Sequence, residues 1–264
     1  MPLREARGSR GGLIMSLHSF QTALGRLVRA RQADGDAHKI VARLPLDDAE
    51  RGAFEVLLAG RGLDFTREVQ RSWCKGRARN AAYLTLSMLD EGERQRLLDE
   101  WVEAGGGIGS FFAGEALAFL DFLALHLHGR THMLAICRME QAVQRANAAE
   151  PDVQAYVAED LRESTRIARA PRASLVEFHA EPEQLLHAVQ TGTALPPQSQ
   201  EPIALLFGPD LAGLFERADR AEVALWQRLA TPASWGELLR EDHAPAVIER
   251  LISLGIVCPL AADT

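Results

Sequence analysis

Apolar residues recur at three- and four-residue spacing through most of the first 150 residues, which predicts a succession of amphipathic helices. A first helix is expected around Leu27, and a second begins after the capping residue Asp47. A third should run from about residue 65 to 89, with Val69 and Trp73 on its apolar side. The N-terminal half is therefore expected to be a helical bundle.

Two further helices complete this half. Asp90 can cap a fourth helix that ends at the glycines 105–107. Residues 110–149 then form either one long fifth helix or two helices that break near Gly129. The apolar window 108–127 has about the length of a membrane span. It contains two carboxylates, Glu115 and Asp121, which are costly in lipid, so a buried helix is expected.

The pattern changes after Pro151, where β-branched and aromatic runs alternate with short helical segments. Short helices are expected at residues 153–161, 181–190 and 222–229. Strands are expected near 175–178, 203–207 and 213–217. The last helices and a final strand follow the order of a winged-helix-like unit. The fold predicted is mostly α within the α+β class: a leader at 1–15 without fixed structure, a helical domain at 16–150, and a small C-terminal domain at 151–264.

Composition narrows the classes of function. The chain has 264 residues, of which 47% are hydrophobic, so it can bury a sizeable core. Its formal net charge of −7 disfavours nucleic acid as a main partner, because phosphate binding needs clustered cations. Three widely separated cysteines predict neither a disulfide framework nor a zinc ribbon, and they favour a reducing cytoplasm.

The stretch HLHGRTHMLAIC, residues 126–137, is the strongest candidate for metal chemistry. On one continuous helix, Asp121, His128 and His132 would share a face, and a metal would still need a ligand from a second helix. The chain contains no HExxH motif to supply one. The histidines are therefore expected to be mainly scaffold, and a metalloenzyme built on them stays a third hypothesis.

Motifs for other chemistry are weak. The glycines of AGGGIGSFF follow a helical pattern rather than a strand, and no GxSxG sequence or cofactor fingerprint occurs. No catalytic or metal-binding residue is therefore assigned. Arg71, Lys75 and Arg79 recur at four-residue spacing beside Trp73, which predicts either a solvated helix face or an interface with an acidic protein surface.

Four stretches, residues 71–107, 132–146, 166–209 and 221–239, carry a resemblance to a known family. They include RSWCKGRARN, CRMEQAVQRA and RIARAPRASLVEFHAEPEQLL. Together they resemble the partner subunits of multinuclear non-haem iron oxidative enzymes in ribosomal-peptide pathways, the group that serves methanobactin and 3-thiaglutamate biosynthesis.

The resemblance implies a cytoplasmic heterodimer in which one subunit is the enzyme and the other binds the peptide. In this family a separate TIM-barrel enzyme holds the iron and oxidises a residue, often cysteine, of a precursor peptide. The partner subunit carries no cofactor and is not an enzyme by itself. It docks on the barrel and holds the leader of the precursor through a domain similar to a peptide-recognition element, without nucleic acid or membrane as partners.

Two sets of residues are expected to make these contacts. Aromatic and arginine side chains, which concentrate interface energy, predict the barrel contact at Arg71, Trp73, Arg77, His132 and Arg138. A leader that adds as a strand predicts contacts at Ile203, Leu205, Phe207, Leu214, Phe215, Leu225 and Trp226.

The alternative from another class is a winged-helix transcription regulator with a helical sensor domain. Such a protein needs a cationic helix in the major groove. The candidate helix HAPAVIERLISLG offers Arg250 as its firm cation, with Glu249 beside it. Groove insertion is therefore the weaker hypothesis.

Overall fold

The chain folds mainly into helices, with two small antiparallel sheets. A computed structural model describes residues 21–29, 37–44, 46–107, 113–148, 161–213, 215–241 and 244–260. The predicted leader at 1–15 and the predicted helix at 153–161 lie outside these residues, apart from Leu161. The mostly-α fold class is confirmed.

Twelve helices are described. They are α1 (21–29), α2 (Ala37–Ala42), α3 (Asp48–Ala59), α4 (Arg61–Ala81), α5 (Tyr83–Ser87), α6 (Glu91–Glu103), α7 (Ala113–His126), α8 (Thr131–Asn147), α9 (Pro182–Thr191), α10 (Arg220–Arg228), α11 (Trp235–Arg240) and α12 (Pro245–Ser253). Within the described residues, no helix has the length and apolar character that crossing a membrane requires.

Six strands form two sheets. They are β1 (Arg166–Arg169), β2 (Ser174–Phe178), β3 (Ile203–Phe207), β4 (Phe215–Arg217), β5 (Ala233–Ser234) and β6 (Val257–Pro259). Sheet A has the order β5-β1-β6, and sheet B has the order β2-β3-β4. All four strand pairs are antiparallel.

The chain divides into two compact units. Unit 1 comprises residues 1–77 and 98–109, and unit 2 comprises 78–97 and 110–264. This division differs from the predicted boundary near residue 150. The physical reason lies in α8, whose Ile136 and Met139 share a core with Val176 and Phe178 of sheet B, so the helix and the sheet cannot belong to separate bodies.

Among its described residues, unit 1 contains an apolar cluster that includes Leu27, Phe54 and Leu63. Helix α3 begins where the sequence predicts. The Asp47 carboxylate accepts a hydrogen bond from the Glu50 amide at 2.8 Å, and the Glu50 carboxylate accepts one from the Asp47 amide at 2.9 Å. This reciprocal cap satisfies two amides at the helix start that have no partner within the helix.

Helix α4 differs from its prediction in length and in orientation. It ends at Ala81, and the backbone of Ala82 leaves the helical region (φ −124°, ψ 41°) before α5 begins. Val69 and Trp73 were expected on the buried side, but both are exposed. The buried side carries Leu63, Cys74 and Ala78 instead.

The cations of α4 are engaged with neighbouring groups. In unit 1, Arg71 forms a salt bridge with Glu103, and Lys75 forms one with Asp99. In unit 2, Arg79 donates to the Gln95 side chain at 3.1 Å. The predicted cationic ridge is therefore paired with groups of α6 rather than presented alone to a partner.

Of the two alternatives that the sequence left open for residues 110–149, the structure has two helices, separated near Gly129. Gly129 has a φ of +83°, a left-handed conformation that side chains with a Cβ rarely adopt. It allows α7 and α8 to fold back on each other. The helix start at Asp90 is also confirmed, because its carboxylate accepts from the Glu93 amide at 2.8 Å.

Sheet B lies between two apolar cores of unit 2. One face carries Val176, Phe178, Leu205 and Phe207 against α8 and α9. The other face contributes Leu206 to a cluster with residues of α10 and α12. Helices α10–α12 follow one another along the chain with β5 before α11 and β6 after α12, and both strands pair with β1 in sheet A.

Candidate functional site

The histidine-rich stretch 126–137 does not converge on a common point. The His126 ring packs against the Phe122 ring at a tilt of 44°, with the ring centres 4.3 Å apart, and its Nδ1 lies 2.8 Å from the Phe122 carbonyl oxygen. His128 is exposed in the turn before α8, whereas His132 is buried and its Nε2 lies 2.9 Å from the carbonyl oxygen of Pro196. Because Gly129 breaks the helix, the assumed single face does not exist.

Asp121, the third residue of the metal hypothesis, has protein partners. Its carboxylate accepts from the Gln141 side chain at 2.5 Å and lies 3.6 Å from Arg138. Across the described part of the chain, no group of three or more histidine, cysteine or acidic side chains is arranged to hold a metal ion.

Cys137 is fully buried, and its thiol donates to the Leu120 carbonyl oxygen at 3.4 Å. Burial, with a smaller contribution from Glu140, raises the pKa of this thiol to about 12. Such a thiol stays protonated and is a poor nucleophile. Its geometry is that of a small side chain inside the α7–α8 pair.

One exposed stripe of α4 in unit 1 carries no charged side chain. Phe65, Val69 and Trp73 keep 68%, 39% and 65% of their accessible surface. Positions four residues apart on a helix differ by about 40° in direction, so the three side chains form one stripe. Gly62, Thr66, Ser72 and Gly76 lie beside them on the same helix face. We call these seven residues the α4 face.

The predicted barrel-contact residues fall into different environments. Trp73 belongs to the α4 face, but Arg71 is bound to Glu103, and Arg77 donates to the Gly107 carbonyl oxygen at 3.3 Å. In unit 2, His132 is buried at 7% exposure, which excludes it as a surface contact. Arg138 stays half-exposed and donates to the Gln141 side chain at 2.7 Å.

The predicted leader-binding strand β3 is the central strand of sheet B. It pairs with β2 on one side and β4 on the other, so it cannot accept a further strand. Leu205 and Phe207 are buried in the core, and Ile203 packs at its margin. Strand β3 is corrected from a docking strand to a core strand.

The predicted helical wall of the leader groove is also a core element. Leu225 is fully buried and Trp226 keeps 8% of its surface, both within the cluster that contains α10 and α12. The Arg169 guanidinium lies 4.6 Å from the centre of the Trp226 ring on its outer side. Neither Leu225 nor Trp226 is available to a peptide, and Leu214 lies outside the described residues.

Strand β4 remains a candidate edge. The Ala218 amide donates to the Ala204 carbonyl oxygen at 2.9 Å, so this residue pair is a hydrogen-bonded one. Because hydrogen-bonded and open pairs alternate along antiparallel strands, the amide and carbonyl groups of Phe215 and Arg217 point away from β3. The Phe215 side chain is 40% exposed and packs on Phe207 at 5.6 Å.

The sequence did not reveal a groove beside the opposite edge of sheet B. It has a volume of about 410 Å³ and lies between the first turns of α8 and the outer side of β2. Arg138 and His128 reach it from the helical side, and Glu177 lines it from the strand. No local pattern signals such a groove, because it forms from elements about 45 residues apart in the chain.

Comparison with known proteins leaves the family unassigned. No family model matches the chain, and no curated protein matches it.

Proposed function

We propose that this chain is a non-catalytic partner subunit that binds a multinuclear non-haem iron enzyme and the leader of a ribosomally made precursor peptide. It presents the peptide, at a cysteine, for oxidation by the iron enzyme. Iron belongs to the larger chain, and this chain brings no cofactor. The proposal rests on the resemblance of residues 71–107, 132–146, 166–209 and 221–239 to such partner subunits.

The observation that carries the proposal is the α4 face. A stripe that exposes a phenylalanine and a tryptophan at more than 60% of their surface is costly in water unless it has a partner. Tryptophan is also among the residues in which interface energy concentrates. The flanking cations Arg71 and Lys75 are already paired with acids, so apolar contact rather than charge favours docking here.

The leader is assigned to the outer edge of β4 in unit 2. An extended peptide can pair there with the outward backbone groups of Phe215 and Arg217. The Glu216 carboxylate, on one face of the sheet, lies 2.7 Å from the guanidinium of Arg250 in α12. This salt bridge fixes β4 against α12 and leaves its outer edge accessible. Main-chain hydrogen bonds give affinity that depends little on the leader's sequence.

The experiment is co-expression with a candidate multinuclear non-haem iron enzyme, followed by purification through a tag on this chain. Trp73→Ser should reduce co-elution of the iron enzyme strongly. Tyr83→Ser is the matched control, because Tyr83 is an exposed aromatic residue outside the α4 face, with 70% of its surface accessible. Equal co-elution of both variants would remove the α4 face from the proposal.

The winged-helix-like order of α10–α12 and sheet A favours a second candidate, a transcription regulator. Its recognition helix would be α12, where Arg250 supplies the cation. This guanidinium is bonded to Glu216 and to the buried Glu222, so its charge is compensated before any phosphate approaches. Tight binding to random duplex DNA at low salt would favour the regulator over the partner subunit.

A further inference from the structure

The outer side of β2 presents backbone groups toward the groove beside α8. Ala204 exchanges its hydrogen bond with Ala218 of the β4 side, so its amide and carbonyl face β4. Glu177 of β2 lies opposite Ala204 of β3. Because the backbone groups of Ala204 face β4, the Glu177–Ala204 pair shares no hydrogen bonds. The amide and carbonyl of Glu177 point away from the sheet, and the same alternation applies to Leu175.

The next outward position of this edge already carries an extended segment of the chain. The Ser199 amide donates to the His179 carbonyl oxygen at 2.6 Å, and the His179 ring nitrogen Nδ1 lies 3.1 Å from the Ser199 carbonyl oxygen. The contact of His132 with Pro196 holds this segment in place. The segment covers the edge at His179, and the groove begins beyond it, at Glu177 and Leu175.

The helical side of the groove includes the cation Arg138. Arg138 and His128 line this side, and His179 and Glu177 line the strand side. Arg138 is exposed and lies 3.6 Å from Asp121, which compensates part of its charge. Helix α8 also begins here, and its N-cap residue Arg130 makes no side-chain cap, so the positive end of the helix dipole is not neutralised by a capping side chain. A carboxylate in the groove would meet these groups directly.

We propose that this β2-edge groove binds an extended acidic peptide segment by strand addition. The peptide backbone pairs with the outward groups of Leu175 and Glu177, and its carboxylate side chains face Arg138 and His128. The site lies on the strand opposite β4 in sheet B. It therefore goes beyond the proposed leader site, and it does not depend on the identity of the partner enzyme.

The test uses the full chain and a labelled synthetic peptide of alternating valine and glutamate, with binding followed by fluorescence anisotropy. Glu177→Pro removes the outward amide without removing a hydrogen bond between β2 and β3, because proline is tolerated where an edge amide faces outward. Glu177→Ala is the matched control, which removes the same carboxylate and keeps the amide.

Glu177→Pro should weaken binding roughly tenfold, through loss of one backbone hydrogen bond and the steric block of its ring. Glu177→Ala should bind at least as tightly as the natural chain, because an acid leaves the groove. A peptide of alternating valine and lysine should bind much more weakly. Equal affinity of the Glu177→Pro and Glu177→Ala chains, or equal affinity for both peptides, would overturn the proposal.

Amide hydrogen exchange supplies the second measurement. The amides of Leu175 and Glu177 should exchange rapidly in the free chain and slowly with the valine–glutamate peptide bound. Slow exchange without peptide would overturn the proposal, because the chain itself would then cover the edge.

Arg217→Pro separates this site from the leader site, since Arg217 occupies the equivalent outward position of β4. Retained binding of the acidic peptide by Arg217→Pro supports the β2 groove. Loss of binding in Arg217→Pro with full binding in Glu177→Pro would overturn it in favour of β4. A failure to co-elute with the iron enzyme would leave these results unchanged and would count only against the partner function.

Discussion

At the scale of single residues, Glu140 stabilises unit 2 by capping a helix other than its own. Its carboxylate accepts from the amides of Leu84 and Thr85 at 2.7 and 3.0 Å, and from the Thr85 hydroxyl at 2.6 Å. These donors belong to the first turn of α5. The N-cap residue of α5 is Ala82, whose side chain cannot accept a hydrogen bond. Burial raises the pKa of Glu140, and the three hydrogen bonds oppose that rise.

We expect Glu140→Ala to lower the free energy of unfolding by roughly 3 kcal/mol, because it leaves buried donors without an acceptor. Urea denaturation measures the change. Glu249→Ala, which removes an exposed carboxylate from α12, is the control and should change stability by less than about 0.5 kcal/mol. Equal effects of the two substitutions would show that Glu140 does not cap α5.

The Cys137 thiol predicts a pH dependence of stability. Its usual pKa of 9.0 applies to the unfolded chain, whereas burial raises the folded value to about 12. Between these values the unfolded chain has released the proton and the folded chain has kept it. Stability from this group is therefore complete below pH 9 and falls as the pH rises above it, by up to about 1.4 kcal/mol per pH unit.

Urea denaturation at several pH values above 9 should show a steeper decline for the natural chain than for Cys137→Ala. Parallel declines would mean that this thiol ionises with the same pKa in both states.

Residue chemistry was only partly accessible from the sequence. The caps at Asp47 and Asp90 follow from local spacing, and both were predicted correctly. Two other contacts were not predictable: the salt bridge between Arg71 and Glu103, and the contact of His132 with the Pro196 carbonyl. They depend on how elements about 30 or 60 residues apart in the chain pack together. Those partners are set by tertiary packing, which no local pattern encodes.

At the scale of elements, two glycines give opposite predictions for the same substitution. Gly129 connects α7 and α8 with a φ of +83°, and Gly76 lies within the regular helix α4; neither has another atom within 4 Å of an added Cβ. Gly129→Ala should destabilise the chain by about 1–2 kcal/mol through left-handed backbone strain. Gly76→Ala should stabilise it by about 0.5–1 kcal/mol through helix propensity. Thermal unfolding of both variants measures the two signs, and a stabilising Gly129→Ala would contradict the left-handed conformation of Gly129.

Element positions were easier to predict than element environments. The strand at 203–207 was placed correctly, but its central position in sheet B was not, because strand order depends on which hairpins pair. On α4, the large side chains Val69 and Trp73 suggested the buried side. The helix instead buries Cys74 and Ala78, which allow close approach of its neighbours, and leaves the large side chains outside.

At the scale of the whole molecule, the predicted boundary near residue 150 falls within one compact unit, because α8 and sheet B both belong to unit 2. Helix α8 shares one apolar core with sheet B, through Ala135, Ile136 and Met139 on the helix side. The change of pattern after Pro151 marks the first strands of the chain, and it does not mark where packing ends. Periodicity reports the type of an element and is silent about its partners.

A chain truncated after residue 148 should therefore fail to fold cooperatively, because it exposes the side of α8 that packs on sheet B. We expect it to bind a hydrophobic dye and to unfold over a broad temperature range, as states without fixed packing do. A sharp transition, with near-ultraviolet circular dichroism typical of packed aromatic residues, would contradict the shared core and restore the predicted helical domain.

We propose that this chain is the partner subunit of an iron enzyme. The most direct measurement is the mass and iron content of the protein that co-purifies when the tagged chain is expressed with a candidate multinuclear non-haem iron enzyme. We expect a stoichiometric complex whose iron stays with the larger chain after the two chains are separated. Elution of this chain alone, at its own mass of 29.0 kDa, would contradict it.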